Sequence, residues 1–368
     1  MDFSSWAVVI PSSRRVLASR LAAIPSDVPV FVVEDSDEPV LVDRPGIHTF
    51  SKAFQRQFMG DDYDLVPRGT AACRNFGFYY VWRETSCRYV ISLDDDVVAR
   101  DGFMQSYAML GEELAIATAG GVSWLNTIGL FGDAPDCYAR GFPFDARVPA
   151  APTWSVTTGR VAAHMGMWDG VLDTHAVDKQ LFADYRAEYP ALVLSRPLVR
   201  AGSGGPLTRF PFSSMNFGFV RDALPAAYQI PMRPQFLDRY SLWRYDDIWA
   251  GYILQTLSAK RGDACTIGAP VVAHEKAGNL HREMLGEHCG ILLSPYLYAV
   301  IDQAADAVAP SSYLEMYGAL MARILSTRAS WQRSARVPPT YAAFIVELAS
   351  MLLRWAELCS RVPARSTS

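Results

Sequence analysis

Residues 88–98 read RYVISLDDDVV, an apolar segment that runs directly into three consecutive carboxylates. Carboxylates this close together repel one another, and a run of acids usually lies on a solvated turn. Here Asp94, Asp95 and Asp96 follow a segment that is typical of a buried strand. The pattern therefore predicts that a core strand delivers three acidic groups to one edge of a sheet.

The neighbouring segments predict that this sheet is parallel. WAVVIP (6–11) and VPVFVVED (28–35) are further short apolar runs, and RRVLASRLAAI (14–24) and GTAACRNFGFYYVWRE (69–84) between them have helical spacing. Continuous apolar strands that alternate with helices are typical of a parallel sheet covered on both faces. We therefore predict an α/β fold with a mostly parallel sheet flanked by helices.

The rest of the chain predicts a loop-rich middle and a helical end. Residues 120–240 are rich in Gly, Pro and aromatic residues, and we expect irregular loops and short strands that form the wall of a pocket. YDDIWAGYILQTLSAK (245–260) predicts a helix and APVVAHEK (269–276) a strand. From about residue 311 two helical segments follow, the first with Ser312 as a cap and Glu315 behind it, with the polar connector STRASWQRSARVPP (326–339) between them. We divide the chain into 1–305 and a helical extension, 306–368.

Composition and charge exclude some classes of function. The chain has 368 residues, half of them hydrophobic and a fifth charged, which is a globular composition with a sizeable core. A net charge of −4 argues against general binding to nucleic acid or to an anionic membrane surface. It leaves room for a local basic pocket that binds one anionic ligand. The six scattered cysteines contain no CxxC pair, so we expect reduced thiols.

The first residues, MDFSSWAVVIPSSRR, lack the pattern of a signal peptide. No apolar run approaches the roughly 18 to 20 residues of a membrane span. YAAFIVELASMLL (341–353) is interrupted by Glu347 and predicts a packed helix instead. We therefore expect a cytoplasmic protein without a membrane span.

The triple Asp motif predicts a divalent metal site. Mg²⁺ and Mn²⁺ prefer carboxylate oxygens and often bridge to substrate phosphates. Asp94 and Asp96 lie on the same side of an extended chain, and His274 follows another predicted strand as a candidate third ligand. The alternatives are an exposed acidic turn and a structural histidine.

Other polar residues predict a nucleotide-diphosphate site at the same edge of the sheet, where ligands bind in parallel α/β folds. Acids in VVEDSD (32–37) are candidate acceptors for a ribose or a base edge, and Arg74 is a candidate partner for the diphosphate, although each alone could be a surface ion pair. Asp246 and Asp247 begin a predicted helix. They suit either the helix dipole or proton transfer to a sugar.

Taken together, these motifs resemble the reversibly glycosylated polypeptides of plants, which are UDP-arabinopyranose mutases with a glycosyltransferase-A fold. The resemblance covers VVIPSSR, VVEDSDEP, TAACRNFGF, YVISLDDDVVARD, ARGFPFDAR, GMWDG, MNFGFVRD, RYDDIWAGY and HEKAGN, which occur in family order across most of the chain. It implies a glycosyltransferase-A fold and a flavin-independent, metal-dependent mutase that interconverts the pyranose and furanose forms of a nucleotide sugar. The family also tends to oligomerise, so a homo-oligomer is expected.

The resemblance also assigns residues. In the family, the arginine that corresponds to Arg140 is reversibly glycosylated, and one that corresponds to Arg147 is required; from spacing alone Arg140 would be a loop ion-pair residue. The implied metal ligands are Asp94, Asp96 and His274. The implied catalytic residues are Arg140, Arg147, Asp246 and Asp247, the nucleotide-binding residues Pro11, Arg14, Glu34, Asp35, Asp37, Arg74, Asp95 and Lys276, and the sugar-binding residues Trp168, Asn216 and Trp249.

The implied mechanism requires Arg140 to act as a nucleophile, although guanidinium is normally protonated. Either Asp246 or Asp247 takes a proton as the bond to the anomeric carbon forms, or departure of the diphosphate comes first and leaves an oxocarbenium-like centre. The glycosyl adduct then opens its ring, another hydroxyl closes it, and the diphosphate returns.

The chain departs from the plant pattern at three places that concern specificity, one of which is HMGMW (164–168), where the plant proteins have Ser-His-Gly before Leu-Trp. It has Glu34-Asp35-Ser36-Asp37 where the plant proteins have Gln-Asp-Gly-Asp, and Asp173-Thr174-His175 where they have Asp-Tyr-Asp. A carboxylate at Glu34 could pair with guanine, so GDP stands beside UDP, with galactose or arabinose as the sugar. The alternative functions are a glycosyltransferase with a separate acceptor and a self-glycosylating scaffold.

Overall fold

The protein is described by a computed structural model that covers residues 3–13, 18–36, 44–131, 136–147, 151–180, 186–187, 199–201, 207–236, 240–275 and 278–363. The strands are β1 (Trp6–Ser12), β2 (Val30–Glu34), β3 (Ile47–Phe50), β4 (Tyr89–Leu93), β5 (Val97–Ala99), β6 (Glu113–Gly120), β7 (Thr153–Val171), β8 (Arg186–Ala187), β9 (Val199–Ala201), β10 (Asn216–Val220), β11 (Arg233–Phe236), β12 (Tyr240–Leu242) and β13 (Ala264–His274).

Eleven of these strands form one mixed sheet, with the order β3-β2-β1-β4-β10-β7-β13-β5 along its main path. The four strands β3, β2, β1 and β4 are parallel, as the apolar runs predict. β10 is antiparallel to both of its neighbours, and β13 pairs parallel with β7. The predicted α/β class with a mostly parallel sheet is confirmed, and one reversed strand sits at its centre.

The helices cover the sheet and extend the chain at its end. They are α1 (Lys52–Met59), α2 (Asn75–Glu84), α3 (Phe103–Ser106), α4 (Thr127–Phe131), α5 (Ala176–Lys179), α6 (Asp246–Arg261), α7 (Leu280–Ala305), α8 (Tyr313–Ser326), α9 (Arg328–Ser334) and α10 (Pro339–Ser360). Short 3₁₀ turns lie at Ala18–Leu21, Gly60–Leu65, Ala71–Arg74, Phe144–Ala146 and Arg221–Ala227.

The helix predicted over residues 14–24 is wrong in its described part, where only the 3₁₀ turn Ala18–Leu21 forms. The chain reaches Pro25 within one turn of Leu21. Because the residue before a proline is driven out of the helical region, too few residues remain for a stable α-helix.

Strand β4, which precedes the three carboxylates, is buried as predicted. Within β4, the side chains from Val90 to Leu93 are buried, and the strand hydrogen-bonds to β1 on one side and β10 on the other. Central strands pack against helices on both faces, which explains their continuous apolar sequence. Asp94 follows at once, and its N–H donates to the carbonyl of Met215 (3.1 Å). The carboxylates therefore begin where the sheet ends.

The C-terminal helices share one hydrophobic core with the sheet. α8 begins with the predicted cap: Ser312 and Glu315 form a reciprocal capping box. Trp355 on α10 is fully buried, and its indole N–H donates to the carbonyl of Pro225 (3.0 Å). The helical extension is thus present and packed on the larger part of the chain, while its boundary at residue 305 stays a prediction.

Within the described ranges, α7 is the one helix long and apolar enough to meet the length and composition criteria for a membrane span. Of its most apolar stretch, 56% is buried against the rest of the protein. A core helix has the same properties, so this is weak evidence for a membrane.

Candidate active site

Three of the predicted motifs meet at one cavity of about 520 Å³ at the carboxyl end of β4. Asp94 follows that strand, Arg140 lies in the ARGFPFDAR loop, and Asp246 and Asp247 form the first turn of α6. These residues are up to 153 positions apart in the chain (Asp94 to Asp247). The sheet and α6 place these residues together in the wall of the cavity.

Arg140 is held in a fixed orientation by acceptors from three segments. Its Nε donates to both carboxylate oxygens of Asp173 (2.9 and 3.0 Å), and Nη2 donates to the same residue (2.8 Å). Asp247 accepts from Nη1 (3.1 Å) and Nη2 (2.9 Å). The carbonyl of Arg244 accepts from Nη1. A guanidinium has five N–H groups, and all five are used here.

The backbone around Arg140 explains how the side chain is placed. The Arg140 N–H donates to the carbonyl of Asp173 (2.8 Å). Gly141 has φ = 89°, and a Cβ there would come within 2.6 Å of the Ile248 side chain on α6. Only glycine combines this backbone conformation with so close an approach. The Arg-Gly pair therefore presses the loop against the helix that carries Asp247.

The charges make the Arg140 site a cation between two anions. Burial alone would lower the pKa of Arg140, but Asp173 and Asp247 outweigh burial and raise it well above its ordinary value. Burial likewise opposes ionisation of Asp173, yet Arg140 and Arg244 hold the pKa of that carboxyl below its usual range. Arg140 is 9% exposed. Buried charges of this kind are stable only because they are paired.

Asp246 and Asp247 are adjacent but have different surroundings. Besides Arg140, Asp247 accepts hydrogen bonds from the backbone N–H groups of Ser214 (3.1 Å) and Ile248 (2.9 Å). Burial, followed by the neighbouring Asp247, raises the pKa of Asp246 to about 7. A carboxyl that titrates near neutrality suits general acid–base catalysis. The pair therefore offers one carboxylate that is oriented by Arg140 and the backbone, and one carboxyl that titrates near neutrality.

Two important residues of this site were missed by sequence analysis. Asp173 binds Arg140, and Arg244 binds Asp173 (3.0 Å) and Glu287 (2.8 Å). Arg244 directly precedes the YDD motif, and Asp173 belongs to a departure from the plant pattern. Neither position has local spacing that indicates its partner, since the contacts span 33 to 71 residues.

Arg147 does not line this cavity. It instead holds the loop that contains Arg140 against α5. Both of its terminal nitrogens donate to Asp178 on α5, each at 2.7 Å. Its guanidinium carbon lies 3.9 Å from the ring centroid of Phe144 and 4.7 Å from that of Tyr138. A planar guanidinium that forks to a carboxylate and stacks on rings is strongly oriented. The structure therefore gives Arg147 a contact with the loop rather than with the cavity.

The predicted metal ligands are only partly brought together. Nδ1 of His274 donates to the carbonyl of Val171 (2.8 Å), and its Nε2 lies 4.0 Å from Asp96. A ligating histidine is commonly oriented in this way. Asp94 instead accepts from Arg74. In the part of the chain that is described, no three His, Cys, Asp or Glu side chains form a cluster close enough to hold a metal. Asp96 and His274 fit a metal site; Asp94 would have to turn from Arg74.

Arg74 is buried in this structure and links neighbouring segments by hydrogen bonds. Its side chain is fully buried and donates to the carbonyls of Ala71 (2.9 Å) and Ser214 (2.7 Å), as well as to Ser92 and Asp94. Its donors are occupied by the protein, so the predicted contact with a diphosphate is not formed by this conformation. The residue instead ties the end of β4 to the segment before β10.

The other predicted nucleotide-binding residues lie around the ends of β1 and β2. Pro11 is buried within β1, and Glu34 is 6% exposed at the end of β2. Asp35 accepts from the N–H of Gly69 (2.6 Å), which lines the cavity. Asp95 accepts from the hydroxyl of Ser12 (3.0 Å). Arg14, Asp37 and Lys276 lie outside the described residues.

The three predicted sugar-binding residues are buried in this structure and do not line the cavity, and their role stays a prediction. Trp168 is 2% exposed, and Asn216 and Trp249 are fully buried. The Trp249 indole N–H donates to Ser294 (2.8 Å), and the Asn216 amide donates to a backbone carbonyl (3.0 Å). The aromatic and amide groups face inward because these motifs lie inside strands and a helix, where alternate faces point to the core.

Comparison with known proteins gives a consistent result. A family model described as "Reversibly glycosylated polypeptide" matches residues 9–337. UDP-arabinopyranose mutase 3 of Arabidopsis thaliana is 24% identical over 343 residues, which is 90% of this chain and 85% of that protein. Probable UDP-arabinopyranose mutase 1 of Solanum tuberosum is 26% identical over 299 residues, 78% of this chain and 75% of that protein.

Among solved structures, glucosyl-3-phosphoglycerate synthase from Mycobacterium tuberculosis, crystallised with Mn²⁺ and UDP-glucose, is 14% identical and covers 78% of each chain. Its TM-score is 0.37, which is too low to transfer the position of any ligand.

Proposed function

Because the chain belongs to the reversibly glycosylated polypeptide family, we propose that it is a mutase that interconverts the pyranose and furanose forms of a nucleoside-diphosphate sugar. The observation that carries the proposal is the position of Arg140. Its guanidinium lines the cavity between Asp173 and Asp247, and Asp246 lies beside it. A surface ion pair needs no such site. A residue that must form and break a bond with a sugar needs orientation and a nearby proton acceptor.

The cavity is suited to an anionic ligand by its backbone. Three helical segments begin at it: the turn capped by Thr70, α6 at Asp246, and α7, which is capped by Asn279. Helix N-termini carry partial positive charge and unpaired N–H groups, and they bind phosphates readily. Arg282 in the first turn of α7 adds a positive side chain to the wall. These features support binding of the diphosphate.

A divalent cation is proposed as a cofactor because acids are prominent in the cavity wall, where Asp94, Asp246, Asp247 and Glu283 all lie. Asp96 and His274 would hold the ion, with Asp94 joining them. A bound Mn²⁺ or Mg²⁺ supplies positive charge that neutralises the diphosphate as it leaves. The remaining steps belong to the side chains of the chain itself.

In the first step a terminal nitrogen of Arg140 forms a bond with the anomeric carbon of the sugar. The bond from that carbon to the diphosphate oxygen breaks, and the diphosphate leaves with the electron pair. The nitrogen loses a proton to Asp247, which already accepts hydrogen bonds from both Nη1 and Nη2. Charge is balanced because the adduct remains a guanidinium while the carboxylate becomes neutral.

In the second step the sugar ring opens and closes on Arg140. The arginine nitrogen that carries the sugar loses its N–H proton to Asp246 as its electron pair forms a C=N bond to the anomeric carbon, the bond from that carbon to the ring oxygen breaks, and Asp246 passes a proton to the ring oxygen, so the guanidinium keeps a single positive charge. A different hydroxyl then attacks the same carbon and gives its proton to Asp246, which returns a proton to the arginine nitrogen. Attack by the diphosphate finally releases the isomer, and Asp247 returns its proton to Arg140. A pKa of about 7 lets Asp246 serve in both directions.

The nucleotide is proposed to be UDP. The similar plant proteins are named for a UDP-linked sugar. The carboxylate of Glu34, which could have paired with guanine, is 6% exposed. A buried carboxylate offers little edge to a base, so the reason to prefer GDP is weakened.

The test is a reaction without an acceptor. The protein is incubated with Mn²⁺ and, separately, UDP-arabinopyranose, UDP-galactopyranose and GDP-linked sugars, and the products are separated by chromatography. We expect one nucleotide sugar to be converted to its furanose isomer with the diphosphate bond intact. Hydrolysis alone, or transfer only after an acceptor is added, would overturn the proposal.

A further inference from the structure

Arg244 has a strained backbone at the wall of the cavity. Its φ is 63°, and among the described residues only one other non-glycine residue, Arg336, has positive φ. For a residue with a Cβ this left-handed conformation is unfavourable and persists only where the surroundings impose it. The side chain lines the cavity and is 29% exposed.

The contacts of Arg244 explain what imposes the strain. Its carbonyl accepts a hydrogen bond from Nη1 of Arg140. Its guanidinium binds three carboxylates: Asp173 (3.0 Å), Glu283 (3.2 Å) and Glu287 (2.8 Å). One residue therefore reaches Arg140 twice, directly through the backbone and indirectly through Asp173. The left-handed conformation of Arg244 therefore accompanies both contacts.

The acceptors around Arg140 differ in their ability to take a proton. A carbonyl oxygen is not a useful base, so the choice lies between Asp173 and Asp247. Asp173 is shared by two guanidinium groups, Arg140 and Arg244, which stabilise its anion despite its burial. Asp247 forms an ion pair with Arg140 and lies beside Asp246. The two carboxylates that hold the same arginine thus have different cationic surroundings, because Asp173 binds a second guanidinium and Asp247 is paired with Arg140.

Resting on the proposed function, we propose that Arg244 is a positioning residue that keeps Asp173 ionised, so that Arg140 releases its proton toward Asp247. In this arrangement Asp173 orients the guanidinium and stabilises the positive adduct, while Asp246 and Asp247 handle protons. The inference assigns a direction to the proton transfer that the family resemblance leaves open.

The other charged groups that face Arg244 define what its loss would change. Glu283 also forms an ion pair with Lys179 (2.7 Å), and Glu287 lies 3.5 Å from Nδ1 of His175. These partners remain when the Arg244 guanidinium is removed. Asp173 would then keep Arg140 as its bound cation and Lys179 as a further positive neighbour, and the cluster would lose one positive charge. Its carboxylates would become easier to protonate.

The test separates the backbone of Arg244 from its side chain. Arg244→Gly keeps a residue that adopts φ = 63° without strain and removes the guanidinium; Arg244→Lys keeps the charge without the fork. Arg160→Gln is the matched control, because Arg160 is 31% exposed and also binds two carboxylates, Asp222 and Asp263, outside the cavity. Melting temperatures show which variants are folded.

The measurement is the rate at which the native protein and each variant form a sugar adduct on Arg140 in a single turnover, as a function of pH, with UDP affinity determined in Mn²⁺. We expect Arg244→Gly to be slower by about 10- to 100-fold, with its acid limb shifted upward by about one pH unit and UDP affinity little changed. Arg244→Lys should recover part of the rate, and Arg160→Gln should match the native protein.

Two results would overturn the inference alone: an Arg244→Gly protein with the native rate and pH profile, or one whose loss lies in UDP affinity without a shift in pH profile. The second result would make Arg244 a phosphate contact. A native protein that forms no adduct at all would overturn the proposed function, and this inference with it.

Discussion

Arg140 can react with a sugar only if one of its hydrogen bonds breaks, because all five of its N–H groups are bonded in the structure. The bonds to Asp247 are the ones whose acceptor also faces the cavity and a proton-carrying neighbour, Asp246. The bonds to Asp173 are supported from behind by Arg244. We therefore predict that substitution of Asp247 slows adduct formation more than substitution of Asp173.

Asp247→Asn should abolish adduct formation on Arg140, with a loss of about 10²- to 10⁴-fold, because the amide cannot accept the proton and turns donors toward the guanidinium. Asp173→Asn should lose less, since Asp173 orients rather than accepts. The measurement is single-turnover mass spectrometry of both variants. Asp222→Asn, which removes a carboxylate paired with Arg160 elsewhere, is the control. An Asp247→Asn protein that forms the adduct at the native rate would contradict this account.

Asp246 should make stability depend on pH in a specific direction. Because its pKa is raised to about 7 in the folded protein, the carboxyl favours folding only while it is protonated, and its cost grows as pH rises from about 4 through 7. Asp246→Asn removes that cost. The variant should melt about 2–4 °C above the native protein at pH 8 and close to it at pH 4.5. Equal differences at both pH values would contradict the raised pKa.

The residues of the site were predictable to different degrees. Asp94, Asp246 and Asp247 are visible as acids at the ends of apolar segments, and Arg140 follows from the family resemblance. Asp173 and Arg244 were not found, since their value lies in contacts between segments far apart in the chain. The burial of Trp168, Asn216 and Trp249 was not foreseen, because a motif shows which residues occur and not which face they occupy.

At the scale of elements, the loop 139–147 is held in position by its contacts with neighbouring helices. Gly141 packs against Ile248 on α6, and Arg147 forks to Asp178 on α5. The short helix α5 has only four residues and gains its order from such contacts. Arg147, seven residues after Arg140, thus holds the loop from its other end.

Asp178→Asn should therefore slow adduct formation on Arg140 while leaving UDP affinity within about threefold of the native value, because the loop loses its anchor and the nucleotide loses no contact. Single-turnover mass spectrometry and calorimetry with UDP and Mn²⁺ measure the two quantities. Asp145→Asn, a change in the same loop with no ion pair to Arg147 or Arg140, is the control. Loss of UDP affinity equal to the loss of rate would contradict a positioning role.

Helices and strands were predicted well where the hydrophobic periodicity was strong, and poorly where tertiary contacts determine the secondary structure. The apolar strands before Asp94 and the capped helix α8 were predicted. The polar connector 326–339 contains a helix, α9, because Trp331 is buried and its indole N–H donates to the carbonyl of Ile324 (2.7 Å). The packing of this one tryptophan stabilises a helix that the polar sequence around it does not predict.

At the scale of the whole molecule, the C-terminal helix α10 packs against α2 and the segment that contains Pro225 and Tyr228, and not at the cavity. Trp355 on α10 packs its ring 4.5 Å from that of Tyr228 and 6.0 Å from that of Tyr79. Trp82 on α2 in turn donates to the carbonyl of Cys359 (3.0 Å). None of these residues lines the cavity that contains Arg140. The extension should therefore contribute to folding and not to chemistry.

Trp355→Ala should lower the free energy of unfolding by about 3–5 kcal/mol, since it leaves a large cavity and an unpaired carbonyl. At a temperature where the variant remains folded, the rate of adduct formation should match the native rate. Thermal and denaturant unfolding measure the first quantity. Leu285→Ala is the control, because that side chain is 72% exposed and should change stability little. A folded Trp355→Ala protein with impaired chemistry would contradict the division of roles.

The central claim is that Arg140 carries the sugar during isomerisation, and peptide-level mass spectrometry of that residue tests it most directly. The native protein and Arg140→Lys are incubated with a UDP-sugar and Mn²⁺, digested and mapped. We predict one anhydrosugar on the native Arg140 peptide, removal of that mass by excess UDP, and neither adduct nor isomer in Arg140→Lys. An adduct on another residue, or isomerisation by Arg140→Lys, would contradict the account.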